Sequence, residues 1–421
     1  MPPLNPNYDV LVIGGGPAGS SAGTRLAQAD LRTLIVDRET FPRFRIGESH
    51  LPHGNHLLRE IGVWPKLAAA GFIDKYGASF ATADGSMEKE IVFADGLIPG
   101  NERTFQVERA RFDGVLFEHA RSCGATACDG LGVTAIHNDA SGHTATLVDR
   151  EGQTLEVRVK WIIDACGREG HYNTQPVRHL DHTNWPKRVA IYTHFTGVVR
   201  APGRAGGHTV IVRVPHGWFW IIPIDAHRTS VGLVTTTTAL RDSWLAPKDH
   251  FAAIVAGSVK MAGLMSASSP CADYRVTSDY SFFRRTLAEG RFVFAGDAGG
   301  FFDPIFSSGV YMACLSAKLA ANLVIRAHRR DQPLASRACA AYTREVKRHA
   351  KVFRKLIEAF YDDDSFTVFM CQRPPWGLRP AITSIVAGCS NLTWGMRWRY
   401  NLFLLIYRLQ KRFPLVTHQP V

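Results

Sequence analysis

YDVLVIGGGPAG, Tyr8 to Gly19, is the stretch that decides the fold of this 421-residue chain. Val10 to Ile13 are apolar and mostly β-branched, the composition of a strand buried on both faces. Three glycines end the run, and Ala18–Ala29 has helix composition. Leu31–Asp37 (LRTLIVD) is a second apolar run, so the unit reads strand, glycine turn, helix, strand. Gly14, Gly16 and Gly19 give the spacing G-x-G-x-x-G, with Pro17 and Ala18 opening the helix. Such a turn lets backbone approach a pyrophosphate closely and places it on a helix N-terminus. Asp37 follows Gly19 by 18 residues at the end of the second strand, where a carboxylate can accept hydrogen bonds from a ribose.

Two further runs have the same buried-strand character, Val159–Ala165 and Arg291–Gly296. Between them, from about Arg188 to Thr238, VAIYTHF, TVIVRV, WFWIIPI and SVGLVTT alternate as in a sheet with one face buried and the other carrying polar groups or a ligand. After Gly309 the chain reads as helix over Met312–Arg329 and Ala338–Tyr361. The expected class is α/β: a Rossmann-like dinucleotide-binding unit over 1–187 and 275–335, an antiparallel-sheet substrate region over 188–274, and a helical, basic C-terminal lid over 336–421.

The composition, 46% hydrophobic and 20% charged, excludes a disordered chain. No run approaches the roughly 18 apolar residues of a membrane-spanning helix. The eight cysteines form no C-x-x-C pair, so zinc and iron–sulfur sites are not expected and the thiols read as free in a reducing compartment. MPPLNPNYD has no basic segment leading into an apolar one, and the expected location is the cytoplasm.

Charge is unevenly placed. The chain has 49 basic and 37 acidic side chains, a net of +12. No Asp or Glu occurs from Ser365 to Val421, where Arg373, Arg379, Arg397, Arg399, Arg408, Lys411 and Arg412 are accompanied by Trp376, Trp394, Trp398, Tyr400 and Tyr407. A basic aromatic tail suits an anionic partner, a membrane surface or nucleic acid. No nucleic-acid module accompanies it, so none is expected as a partner. Tyr400–Arg408 fits a lid helix with outward arginines, an acidic carrier protein or membrane surface being the other readings.

FVFAGDAGGFFDP, Phe292 to Pro304, places Asp297 just after the third buried strand. With Arg45-Ile46-Gly47-Glu48-Ser49, Val107–Leu116 and Asp164-Ala165-Cys166-Gly167, it resembles the FAD-dependent monooxygenase-like superfamily. That resemblance implies FAD rather than NAD, contacts from Arg45, Ser49 and Arg109, Asp297 on the ribityl chain, and Pro304 beside the ring. Asp303 is a candidate for a covalent flavin link only by distant analogy.

Gly217-Trp218-Phe219-Trp220-Ile221-Ile222-Pro223 puts two indoles on one face of a strand, because side chains alternate with period two. W-x-W-x-I-P resembles the flavin-dependent halogenases, where these tryptophans keep substrate away from the flavin. Phe301-Phe302-Asp303-Pro304-Ile305-Phe306-Ser307-Ser308-Gly309 resembles that family's halide-side segment, which implies Ser308 and Gly309 as halide contacts. Lys75, in Phe72-Ile73-Asp74-Lys75-Tyr76-Gly77-Ala78, falls where the family has its essential lysine; read without the family, a lysine beside Asp74 is an ordinary solvated charge.

The form of the second segment is closer to phenol- and pyrrole-acting members than to tryptophan-acting ones, whose catalytic glutamate is replaced here by Phe306. The implied enzyme takes FADH2 from a separate flavin reductase and, with O2, oxidises chloride or bromide to hypohalous acid. Lys75, Trp218 and Trp220 then direct halogenation of an electron-rich aromatic, a phenol, pyrrole or indole, free or on an acyl-carrier protein. Competing readings are a single-component aromatic hydroxylase on the same fold, a saturating reductase of isoprenoid chains, and a non-catalytic flavin-binding or carrier-docking protein.

Overall fold

The opening run folds as the strand Asn7–Ile13, with Thr33–Asp37 on one side and Thr154–Asp164 on the other, both parallel to it. The computed structural model describes residues 4–139, 142–168, 180–182, 187–278, 281–301, 303–372, 374, 376–413 and 415–416. Phe302 and Arg373, singled out above, lie outside the described residues. Thr126–Asp129 and Phe292–Phe294 extend the parallel sheet at either side. Val10 to Val12 and Leu34 to Val36 are almost wholly buried, as continuous apolar strands under helices on a parallel sheet should be.

Pro17–Ala27 is the helix opened by the glycine turn, with Pro17 in its first turn, where a missing N–H costs nothing. Gly14 takes the left-handed φ of +100°, and a Cβ on Gly19 would lie 1.7 Å from the Gly14 carbonyl oxygen. The helix therefore sits directly on the turn. Arg109–Ser122 and Gly309–His328 pack beside it. Gly309–His328 is, among the described residues, the one helix long and apolar enough to cross a membrane, yet 72% of its apolar window is buried inside the protein. It is a core helix.

The second sheet runs in the order Ser269–Pro270, Arg188–Thr196, Arg228–Thr236, Gly217–Pro223, Thr209–Val214, Gly77–Thr82, Glu88–Val92. It is antiparallel except where Thr209–Val214 meets Gly77–Thr82 in parallel. Its last two strands come from well before residue 188, so the sheet is not confined to 188–274. One face is buried, and the other, expected to carry polar groups or a ligand, is itself largely apolar and borders a cavity. Ala190, Tyr192, Ile211, Trp218 and Trp220 join one core, while Val189, Ile191, Val212, Phe219 and Leu233 join another, closed by Phe251 and Met261 of the helices Pro247–Ala256 and Val259–Leu264. The alternation divided two apolar faces.

Ser336–Tyr361 ties the layers together. Cys339, Tyr342 and Val346 pack under the parallel sheet, whereas Phe353, Leu356, Ile357 and Phe360 pack with the tryptophan face. The helices Leu378–Val386 and Trp394–Gln410 complete that second core.

A Gly19→Ala substitution must push backbone apart at the turn. A loss of about 1–3 kcal/mol in stability, typical of overpacking, is expected. Thermal unfolding together with FAD titration checks it, and unchanged values in both would refute the close approach.

Candidate active site

One cavity of about 530 Å3 lies between the glycine turn and the tryptophan face. Gly14, Gly16, Pro17, Ala18, Asp37, Arg45, Ser49, Arg109, Asp297, Pro304 and Gly309 all line it, as do Trp218 and Trp220. Gly19 does not; it packs on Gly14. Asp37 accepts hydrogen bonds from the Gly15 N–H at 2.9 Å and from Arg43 at 3.2 Å. Its carboxylate thus also clamps the glycine turn. Asp297 is half-buried at the wall, its carboxyl pushed up to about 6 by burial, against the pull of Arg168 and Arg109.

The residues fit FAD. The volume is in the range of cofactor sites, about 300–1,000 Å3, and the glycine turn offers bare backbone. Glu48, 1% exposed, carries an Oε2 on the cavity wall with no hydrogen-bond partner, while its Oε1 pairs with His194 at 2.7 Å.

Beneath the cavity lies an ion cluster that the sequence reading missed. Asp113 is fully buried and accepts from Arg109 at 2.8 and 2.9 Å and from Arg43 at 2.8 Å. Burial alone would raise its carboxyl, but the guanidinium groups of Arg109 and Arg43 hold it below its ordinary value. The i,i+4 spacing of Arg109 and Asp113 on a helix was a visible signal.

Trp218 and Trp220 stand side by side, ring centroids 6.0 Å apart. Trp220 Nε1 donates to Ser230 Oγ at 3.0 Å, and its ring fills the space left by Gly232, whose Cβ would lie 2.1 Å from it. Trp218 Nε1 donates to the Tyr361 hydroxyl at 2.6 Å, which donates to Asp303 Oδ2 at 2.6 Å. Asp303 is buried, which raises its carboxyl. Tyr361, at the end of Ser336–Tyr361, was not singled out by the sequence.

Lys75 does not reach the large cavity. It closes the strand Ile73–Lys75, whose alternation sends Asp74 outward to Arg103 and Lys75 inward, 2% exposed. The solvated reading of Lys75 fails for that reason. Its Nζ donates to Ser49 Oγ at 2.7 Å and to the His50 carbonyl at 3.0 Å. Burial lowers its pKa to about 7. It lines a second cavity of about 10 Å3, with Leu51, Phe80, Phe93, Phe306 and Val386. That is space for about one water.

Thr209, Ile211, Ile305 and Ser307 line both cavities and form the partition between them. Ser49, hydrogen-bonded to Thr209 at 2.8 Å and to Lys75, bridges the same wall. The tryptophans border the cofactor side and are not among the residues shared with the Lys75 chamber. Ser308 is 2% exposed and caps the helix Gly309–His328; its neighbour Ser307, at a left-handed φ of 55°, faces the cavities instead.

Residues 7–349 match the family model described as FAD binding domain. The 1H-pyrrole-2-carbonyl-[peptidyl-carrier protein] chlorinase of Pseudomonas fluorescens is 31% identical over 350 residues, 76% of this chain and 76% of that protein. The chain belongs to the flavin-dependent halogenases. The halogenase is also similar in structure to the flavin-dependent brominase Bmp2, with a TM-score of 0.83 and 26% identity over 96% of this chain and 99% of that one. A structure from Cytophaga hutchinsonii described as a flavoprotein/dehydrogenase superposes with a TM-score of 0.87 at 26% identity over 96% and 99%. The cofactor of this chain is FAD, and the chain halogenates with chloride or bromide and O2, the reading of the sequence that stands against a hydroxylase.

Lys75 is charged when unfolded up to its ordinary pKa of 10.5 but loses its proton near 7 when folded. Between those values the unfolded chain binds the extra proton, so stability contributed at this site rises with pH. The stability of the halogenase relative to a Lys75→Met variant is expected to increase from pH 7 to 10 in denaturant titrations. A flat difference would show that Lys75 keeps its ordinary pKa.

Proposed function

We propose that the enzyme halogenates a small electron-rich aromatic, a phenol, pyrrole or indole, delivered free or on an acyl-carrier protein, with an electrophile held at Lys75. The observation that carries this reading is the buried Lys75 amine in an apolar chamber that shares one wall with the FAD cavity. The carrier route is supported by the likeness to a chlorinase that acts on a carrier-bound pyrrole.

When bound, reduced FAD together with O2 supplies the two-electron oxidation of halide to hypohalous acid. Gly14, Gly16, Pro17, Ala18, Asp37, Arg45, Arg109, Asp297 and Pro304 would hold the cofactor. The backbone at Ser307 to Gly309, where the core helix begins, would hold the halide; Ser308 contributes backbone, its side chain being buried away from the cavity. Trp218 and Trp220 form a rigid wall of the cofactor cavity and exclude a second aromatic ring from it. A separate reductase supplies the reduced flavin, and a reducing cytoplasm suits both partners.

Lys75 acts as a pre-aimed donor. An ammonium has three N–H groups; two are fixed by Ser49 and the His50 carbonyl, which leaves the third to hold the oxygen of hypohalous acid. The apolar walls, Phe80, Phe93 and Phe306, exclude water that would compete for the electrophile. With Phe306 in place of a carboxylate, the ring must be activated enough to lose its proton without a dedicated base, which favours phenols and pyrroles.

The halogenase, FAD, a flavin reductase and NAD(P)H are to be incubated with bromide and chloride in competition over a panel of phenols, pyrroles and indoles, free and carrier-loaded. Mass spectrometry should find halogenated rings, and hydroxylated products alone would refute the reading. Lys75→Ala should remove ring halogenation by at least about 10²-fold, on the scale of losing a catalytic donor, while FAD binding and peroxide release persist.

A further inference from the structure

The terminal helix Trp394–Gln410 has two faces, and only one is used by the fold. Met396, Tyr400, Phe403 and Leu404 are buried in the second core. Trp394, Trp398, Leu405 and Leu409 recur at helical spacing on the opposite side and are 82, 37, 49 and 39% exposed. Trp376, which precedes Leu378–Val386, is 66% exposed, and Phe413 and Leu415 beyond the terminal helix are 55 and 56% exposed. Trp394 and Trp376 belong to one edge, because the Arg399 side chain approaches both Gly377 and Gly395. Scattered apolar side chains on a surface are ordinary, but an aligned row of large ones marks an interaction site.

Cations frame the row. Arg397 and Arg408 of the helix and Arg412 just beyond its end are exposed, and acidic residues are absent from the sequence altogether after Asp364. Arg408 also lies near Lys351, Arg354 and Lys355 of Ser336–Tyr361. There Lys355 is lowered by burial and by repulsion from Lys351, Arg408 and Arg354, with Glu358 opposing. Arg354 pairs with Glu358, Lys411 with Asp362 and Arg379 with Asp95, so these three acidic groups are each already partnered. The field left over calls for an anionic partner.

We propose that this face docks the enzyme peripherally on an anionic lipid bilayer, with the terminal helix lying in the interface. Neither cavity is lined by this face, and its tryptophans and leucines are exposed. Protruding Trp and Leu flanked by arginines match what the headgroup boundary accepts: aromatic rings at its polar level, aliphatic tips below, and cationic ends among the phosphates. The core helix Gly309–His328 takes no part, being enclosed by protein. Docking would present the chain's carbon-rich face to substrates dissolved in or tethered at a membrane, an addition to the chemistry proposed above that does not depend on it.

The test is flotation of the full chain, loaded with FAD, with vesicles of phosphatidylglycerol and phosphatidylcholine or of phosphatidylcholine alone. At about 0.1 M salt, where charges act over about 10 Å, binding to the anionic vesicles should exceed binding to the neutral ones by about tenfold or more. A Trp394→Ser/Leu405→Ser/Leu409→Ser variant, altered only at exposed positions, should lose that binding by a similar factor while FAD affinity stays unchanged. Arg397→Glu/Arg408→Glu should lose it selectively at low salt. No flotation, equal flotation on both vesicle types, or flotation that survives the triple variant would overturn the proposal. Retention by an immobilised acidic acyl-carrier protein, lost in the triple variant and without vesicle binding, would overturn it in favour of a protein partner.

Discussion

Everything at the site hangs from a carboxylate that never meets water. Asp113 accepts two hydrogen bonds from Arg109 and one from Arg43 with no exposure of its own. Removing either side of a buried pair leaves a bare charge and costs about 3–5 kcal/mol. Arg43 reaches onward to Asp37 and Arg109 onward to the Ile46 carbonyl at 2.6 Å. Three segments distant in sequence, the glycine turn, the loop before Ser49 and the helix Arg109–Ser122, are thereby fixed to one another. The same loop ends in Ser49, which receives the Lys75 hydrogen bond. The position of the Lys75 amine is thus tied, through Ser49 and the loop before it, to a charge cluster beneath the cofactor cavity.

The second constraint is a wall of one side chain's thickness. In Thr209–Val214, Thr209 and Ile211 face the same way because strand side chains alternate, and Ile305 and Ser307 meet them from the turn before the core helix. On one side is a cavity able to hold a dinucleotide; on the other is a chamber of about 10 Å3 with a half-ionised amine near neutrality. The two compartments differ in their walls as well: Trp218 and Trp220 line only the larger one, while Phe80, Phe93 and Phe306 line only the smaller. Tyr361 adds rigidity from behind by tying Trp218 to Asp303, so that the wall and the segment beginning at Asp303 move as one.

The parallel sheet and its glycine turn were legible because they are local: an apolar run, a turn with fixed glycine spacing and a carboxylate at a set distance. Lys75, Trp218 and Trp220 were legible through resemblance, and their burial confirms that they belong indoors without assigning their roles. What escaped was long-range. Nothing in the sequence near residue 209 announces that Thr209 meets Ser49, 160 residues away, and Tyr361 looks like the last turn of an amphipathic helix. The alternating strands were read as one buried face and one face for polar groups or a ligand; Tyr192, Ile211, Trp218 and Trp220 do line the cofactor cavity, and what alternation could not show is that this face is also packed into a second core. Ser308 and Gly309 were expected as N–H donors at the start of the core helix; the Ser308 side chain is buried, and it is the neighbouring Ser307 that lines both cavities.

The C-terminal region supplies one wall of the Lys75 chamber. Of its walls, Phe80 and Ile211 belong to strands paired on both sides, and Phe306 packs against Phe80, Phe360 and Phe369. Val386 differs: it ends the nine-residue helix Leu378–Val386, held to the body through Ser384 accepting from the Leu97 N–H at 2.7 Å and Ala387 accepting from the His53 N–H at 3.0 Å. The same helix buries Leu378, Ile382 and Ile385 in the second core, pairs Arg379 with Asp95 and packs directly on Trp394–Gln410. One wall of the Lys75 chamber and the basic, aromatic face of the terminal helix are therefore the inner and outer sides of one helical layer.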